Sequence, residues 1–225
     1  MLTTIPAPRT RINRSADVEF PSYYAQNVLA DPRGFHETRY DPANSTRSPG
    51  LGTQRIPRFG ESTGHRFRAP AAQPTDVESV DAIVAAVYDV ISGPAGQARD
   101  WDRWRSLFLP EARLVASSQD PNGDFRYRVM TPEEYVQGSG PFLEETGFFE
   151  DEIGRTQEEF GSVVHLFSAY QSKRTLDDPE PFARGINSFQ LMHDGTRWWV
   201  VTIYWTSERP DLPIPPRYIS GGSGG

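Results

Sequence analysis

The chain has no cysteine, a single lysine and only four histidines in 225 residues. Without cysteine it forms no disulfide, no thiolate zinc site and no cysteine nucleophile. No apolar run reaches the roughly 18 residues of a membrane-spanning helix, and the first twenty residues lack the apolar core of a secretory signal. These absences predict a soluble, cytoplasmic protein with no membrane span. The histidines, His36, His65, His165 and His193, show no ligand spacing. G-x-S-x-G, P-loop and G-x-G-x-x-G patterns are missing as well, so neither a metal nor another cofactor is expected. Hydrophobic residues make up 36% and mean hydropathy is −0.59, low for a chain folded from end to end. With 20 prolines and 19 glycines, part of the sequence is too poor in apolar residues to build a core.

Charge divides the chain at residue 75. Residues 1–75 carry 10 arginines, 6 acids and 9 of the prolines, whereas residues 76–225 carry a net charge of −11. The first segment shows no sustained helical or strand period and reads as an extended or disordered Arg/Pro-rich extension. Tyr23–Leu29 is its one candidate helical turn. Tyr23, Tyr24, Phe35, Tyr40, Phe59 and Phe67 punctuate it as aromatic anchors suited to wrapping a partner. Arg55–Arg58 and Arg66-Phe67-Arg68 mix charge with a ring, but a net +4 beside so acidic a domain argues against nucleic acid. Gly221–Gly225, GGSGG, reads as a flexible linker outside the fold.

Residues 76–220 carry the folding signals. Thr75 and Glu78 spell a capping box before the stripe Val77, Val80, Ile83, Val84, Val87 and Ile91, and Gly93-Pro94 ends that helix. Asp100 caps a short helix with Trp101, Trp104, Leu107 and Phe108 on its buried side, with Pro110 beyond its end. Arg113–Ser117 and Phe125–Met130 read as strands around an Asp-Pro-Asn-Gly turn. Thr131, Pro132 and Glu134 start a helix carrying Tyr135, Val136, Phe142 and Leu143, with Gly138–Pro141 as a candidate break and an end near Gly147. The acidic run Glu144–Glu152 reads as a solvated helix end and loop. Glu158–Thr175 reads as one long strand. Asp194-Gly195 reads as a two-residue hairpin loop between Arg184–His193 and Thr196–Thr206, pairing Leu191 with Trp198 and Asn187 with Thr202. That register puts Asn187, Thr202 and Tyr204 on one face. Both faces are largely apolar, so one should pack on helices and the other against a second layer, most simply another subunit.

This order of elements, with the stretch DWDRWRSLFLPEARLV at 100–115, the strand VVHLFSAY at 163–170 and the hairpin Arg184–Trp205, resembles the nuclear transport factor 2-like superfamily. That superfamily includes ketosteroid isomerase, scytalone dehydratase and polyketide-cyclase-like proteins. The resemblance covers residues 76–207. It implies an α+β cone, a curved antiparallel sheet packed on about three helices, with a pocket between them and dimerisation through the sheet. Against the ketosteroid isomerase pattern, Tyr88 falls where a tyrosine donor is expected, and Asn187 falls where that family places a protonated acid. Ala116 stands where the general base would be, and an alanine abstracts no proton.

Two functional readings follow. In the first, the domain is a pocket protein for a small hydrophobic, cyclic ligand: an isomerase, dehydratase or cyclase with His165 as base and Tyr88 and Asn187 as donors. Trp104, Tyr170, Thr202 and Tyr204 would line the pocket. A structural histidine and a half-buried helix tyrosine are the competing interpretations of His165 and Tyr88. In the second, the domain is a non-catalytic, dimeric accessory subunit whose residues 1–75 dock onto a larger complex. A pocket closed by Trp and Phe side chains favours the second, and a polar cluster in a roomy pocket favours the first.

Overall fold

The computed structural model describes residues 69–119 and 123–219. The extension, its Tyr23–Leu29 turn and aromatic anchors, residues 120–122 of the Asp-Pro-Asn-Gly turn and the Gly/Ser linker lie outside the described residues. Four helices and six strands follow in order: α1 (Pro74–Val77), α2 (Val80–Ile91), α3 (Trp101–Leu107), β1 (Phe108–Gln119), β2 (Phe125–Met130), α4 (Pro132–Thr146), β3 (Phe149–Phe160), β4 (Val163–Lys173), β5 (Ala183–His193) and β6 (Trp198–Ser207). A 3₁₀ turn, Pro216–Tyr218, closes the described chain. Among the described residues no helix is long and apolar enough to cross a membrane.

The strands form one sheet in the order β2-β1-β6-β5-β4-β3. The sheet is mixed: β1 runs parallel to β6, and every other neighbouring pair is antiparallel. The β1–β6 pair is the one parallel contact in an otherwise antiparallel sheet among the described residues. Register shifts at Phe108/Arg113, Glu152/Gly154 and Gln190/Leu191 add local twist and bend, as bulges do. The helices pack on one face, over a core that includes Ile83, Val87, Trp104, Leu107, Leu114, Leu166 and Phe189.

Several local expectations shift. Thr75 caps nothing: Pro74 begins α1, and Ser79 caps α2 by accepting the Ala82 N–H at 3.0 Å. The chain breaks between α1 and α2 where Arg103 holds Asp76 with two bonds of 2.7 and 3.0 Å. Asp100 caps α3 as expected, accepting from Arg103 N–H at 2.9 Å. Phe108 then enters β1 with no loop, and Pro110 lies inside the strand. The capping box of Thr131 and Glu134 is present, and α4 continues through Pro141 to Gly147, whose φ of 71° suits glycine at a helix end. The single strand expected over 158–175 is two strands, β3 and β4, with Gly161 at φ 60° between them.

The C-terminal segment crosses the sheet's outer face. Tyr218 lies on Phe167 with ring centres 5.5 Å apart, and Ile214 is buried. At Gly154 a Cβ would sit 2.4 Å from the Tyr218 carbonyl oxygen, so only glycine lets the segment pass. Phe125, Tyr127, Val129 and Tyr204 remain exposed.

Candidate functional site

The β5–β6 hairpin decides which side chains enter the cone. His193 pairs with Trp198 across a four-residue loop in which the Asp194 carboxylate accepts from the Thr196 and Arg197 N–H groups. The pairing runs through Leu191↔Val200, then slips by one residue to Gln190↔Thr202 and Asn187↔Trp205. A one-residue bulge moves every later side chain of that strand to the opposite face. Asn187, Phe189 and Leu191 therefore share the inner face with Val200, Ile203 and Trp205. Thr202 and Tyr204 stand on the outer face, where Tyr204 is 44% exposed, which corrects their expected pocket position. His165 is also outside: its Nε2 lies 3.1 Å from Ser188 Oγ and its ring sits against Phe167. It does not meet Tyr88 and Asn187.

Those two do meet. Asn187 Nδ2 donates to the Tyr88 hydroxyl at 3.1 Å, and Tyr88 lies 2.7 Å from Ser168 Oγ. Ser168 and Asn187 are direct cross-strand partners. Ser168 Oγ in turn donates to Glu152 Oε1. Because a carboxylate only accepts, the single Ser168 proton is committed to Glu152. The Tyr88 proton then points at Ser168, and the bonds run in one direction: Asn187, Tyr88, Ser168, Glu152. Arg155 holds Glu152 with two contacts of 3.0 Å and reaches Asp81 at 3.0 Å.

Glu150 is the residue that sequence reasoning missed. It lies two positions from Glu152 on β3, on the same side of the strand, with Asp151 turned outward to Gln171. Ser92, just after α2, pins it in place: its Oγ accepts the Glu150 N–H at 3.0 Å and donates to the Tyr88 carbonyl at 2.7 Å. The carboxylate accepts from its cross-strand partner Ser172 at 2.8 Å and from Asn187 Nδ2 at 3.4 Å. Burial dominates its ionisation and raises the pKa to about 7; the bonds from Ser172 and Asn187 pull it back down, and Asp151 adds a smaller upward push. Burial, reinforced by the Glu150 charge, also keeps the Tyr88 hydroxyl protonated well above its ordinary range. The sequence carries no local signal for Glu150, because Glu150, Asp151 and Glu152 are three consecutive acids with no strand period.

Glu150 separates two spaces. Inside the cone, Trp104, Tyr135, Tyr170, Asn187, Phe189 and Trp205 help enclose only about 30 Å³, room for one or two waters. Trp104 is committed to the core, stacked on Tyr135 at 4.9 Å and donating to the Pro132 carbonyl. Tyr170 reaches Ser207 at 3.3 Å. Ala116 is buried in register with Trp205. Outside, an open cleft of about 400 Å³ runs between α2 and β3, with Tyr88, Glu150 and Glu152 in its lining. Among the described residues no three His, Asp or Glu side chains converge as a metal cage.

A sheet of order 2-1-6-5-4-3, bent by three bulges over a central helix whose tyrosine reaches the inner strands, defines the architecture. Solved structures described as nuclear transport factor 2-like are among those similar to this chain. No protein-family model and no curated protein matches the sequence. Solved structures similar to this chain include a cystatin-like-fold protein of unknown function from Nostoc punctiforme, 13% identical, TM-score 0.44, covering 60% of this chain and 92% of that one. A nuclear transport factor 2-like protein from Salmonella enterica serovar Typhimurium is 12% identical, TM-score 0.40, covering 63% and 91%. A candidate ketosteroid isomerase from Shewanella frigidimarina is 10% identical, TM-score 0.38, covering 55% and 91%. These likenesses concern the fold and carry nothing about activity.

Proposed function

We propose that this domain is a small-molecule pocket protein of the nuclear transport factor 2-like fold, and that its cleft performs proton transfer with Glu150 as the acid–base group. The observation that carries this reading is a desolvated carboxyl with a pKa near 7, placed at the floor of the one described cleft of ligand size that the polar cluster lines. A carboxylate so poised is a stronger base than an exposed one and still loses its proton near neutral pH. Ser172 and Asn187 hold its geometry, and Tyr88 in turn accepts from Asn187. Isomerisation, dehydration and cyclisation all need such a group. His165, on the far face, drops out of the reading. The test is a turnover screen of cyclic carbonyl and hydroxyl compounds, with and without an amino group, using the wild type and Glu150→Gln. Turnover in the wild type that falls at least about 100-fold in the variant supports the role. Turnover unchanged by the variant removes it.

One observation favours a second reading, the non-catalytic dimeric accessory subunit: aromatic side chains fill the cone's interior down to about 30 Å³. In that reading the exposed outer-face residues Phe125, Tyr127, Val129 and Tyr204 seat a second copy, and residues 1–75 dock on a larger assembly. A screen without turnover, combined with a dimer that Tyr127→Glu dissociates on light-scattering chromatography, would favour it.

A further inference from the structure

The cleft between α2 and β3 is lined by five carboxyl side chains, Asp81, Asp89, Glu150, Asp151 and Glu152, and by one guanidinium, Arg155. Charge is only part of what it presents. The directed bonds described above have spent the polar hydrogens at its floor. The Tyr88 proton goes to Ser168, the Ser168 proton to Glu152, the Ser172 proton to Glu150, and the Asn187 amide spans Tyr88 and Glu150. Arg155 reaches Asp81 and Glu152, and its buried Nη1 has no partner among the described residues. Asp89 is held by Arg103. What the floor still presents to a ligand is mostly acceptor lone pairs: a carboxylate offers about four sites, of which Asp81 has one filled and Glu150 two, whereas Glu152 is nearly saturated by Ser168 and Arg155. Val84, Ala85, Phe149 and Leu176 supply apolar walls around them, and Leu176 is 72% exposed at the rim.

We infer that the ligand of this cleft is a protonated amine carried on a small apolar body, its ammonium donating to the Asp81 and Glu150 carboxylates and its body lying on Val84, Phe149 and Leu176. An anionic ligand would meet repulsion from both walls. A neutral carbonyl ligand would find only the buried Arg155 Nη1 uncommitted, because the hydrogens of Tyr88, Ser168, Ser172 and Asn187 are already directed elsewhere. This inference rests on the reading of the cleft as the ligand site and narrows it to one charge class.

The test uses the full-length chain at pH 8 and low salt with three probes of nearly equal size: benzylammonium, benzyl alcohol and benzoate. Binding is followed by calorimetry, with chemical-shift changes at Tyr88 and Glu150 to place it. Benzylammonium is expected to bind about tenfold tighter than benzyl alcohol, with benzoate showing no binding. Asp81→Asn, a change at a residue whose side chain is 86% exposed, should weaken the amine at least about threefold and leave the alcohol unchanged. Alcohol or benzoate binding in the cleft as tightly as the amine would overturn the cation preference and leave the cleft reading standing. If none of the three perturbs Tyr88 or Glu150, both fall.

Discussion

Two desolvated charged groups flank the C-terminal end of α2, and the protein treats them differently. Arg99, 7% exposed, lies where α2 ends and α4 passes. Its guanidinium donates to five carbonyls: Nε to Ile91 at 3.0 Å, Nη2 to Gly93 at 2.6 Å and Leu143 at 3.1 Å, and Nη1 to Gln97 and to Pro94 at 3.4 Å. Every N–H of the guanidinium finds an acceptor, and two of these carbonyls, Ile91 and Leu143, belong to the last turns of α2 and α4, where backbone oxygens lack helical partners and the dipole is negative. Glu150 is also desolvated, but only Ser172 at 2.8 Å and Asn187 at 3.4 Å reach it. The first group is fully compensated and acts as a structural staple. The second carries an uncompensated desolvation cost, which is what a reactive group needs and a structural one avoids.

The largest way to test that contrast is Arg99→Met, which keeps the apolar stem and removes the donors. Five carbonyls lose this donor; Gly93 keeps the Phe148 N–H and Pro94 the Gln97 N–H, and each of the others is exposed to a desolvation penalty of about 1–3 kcal/mol where water does not replace it. We expect a loss of at least about 3 kcal/mol in denaturant unfolding, shared by α2 and α4 in hydrogen exchange. A loss under about 1 kcal/mol would show that water substitutes for the guanidinium and that the staple is dispensable.

The two groups were not equally legible in the sequence. The helices over 101–107 and 132–146 could be read from Asp100 and from Thr131 with Glu134, because caps and capping boxes are local chemistry. Tyr88 and Asn187 were reached through the resemblance, and the geometry brings them within one bond of each other. The bulge between Gln190 and Leu191 was not legible: Trp199, Val201, Ile203 and Trp205 are as apolar as the alternate set, so period-2 patterning leaves the register undetermined. That single slip turned Thr202 and Tyr204 outward. Glu150 was hidden for another reason. Its neighbours Glu144, Glu145, Asp151 and Glu152 look like a solvated surface, and only the pinning of β3 by Ser92 and the Gly93↔Phe148 bridge draws Glu150 and Glu152 inward. Long-range contacts decide it, and composition does not record them.

The next test concerns stability against pH. Glu150 titrates near 7 in the folded chain against an ordinary 4.5. Between those values the folded state binds more protons than the unfolded one, so stability falls as pH rises through that window and levels above it. The shift corresponds to an upper bound of roughly 3 kcal/mol. Glu150→Gln removes the titration. Relative to wild type, the variant should therefore be more stable at pH 8 than at pH 5 by up to about that amount, while losing any proton-transfer activity. Gain of stability with loss of activity is the signature of a functional carboxyl. A wild type and variant with parallel stability curves from pH 5 to 8 would place Glu150 in solvent and erase the contrast with Arg99.

The finest test adjusts the cost at Glu150 without removing the group. Ser172 Oγ–H donates to the carboxylate and thereby favours its ionised form, opposing the burial that raises its pKa. Ser172→Ala deletes that donor and little else, since Ser172 is itself buried and 2% exposed. The Glu150 carboxyl should then titrate higher than in the wild type when followed by carboxyl-carbon NMR. Stability should drop by about 1–2 kcal/mol at pH 8, where the carboxylate is charged, and by less at pH 5, where it is neutral. The direction of the titration shift separates the two possible causes. Upward movement means that burial governs and hydrogen bonds only moderate it. Downward movement, toward the range of exposed glutamates, means that the alanine admits water, and that Ser172 excludes solvent more than it donates.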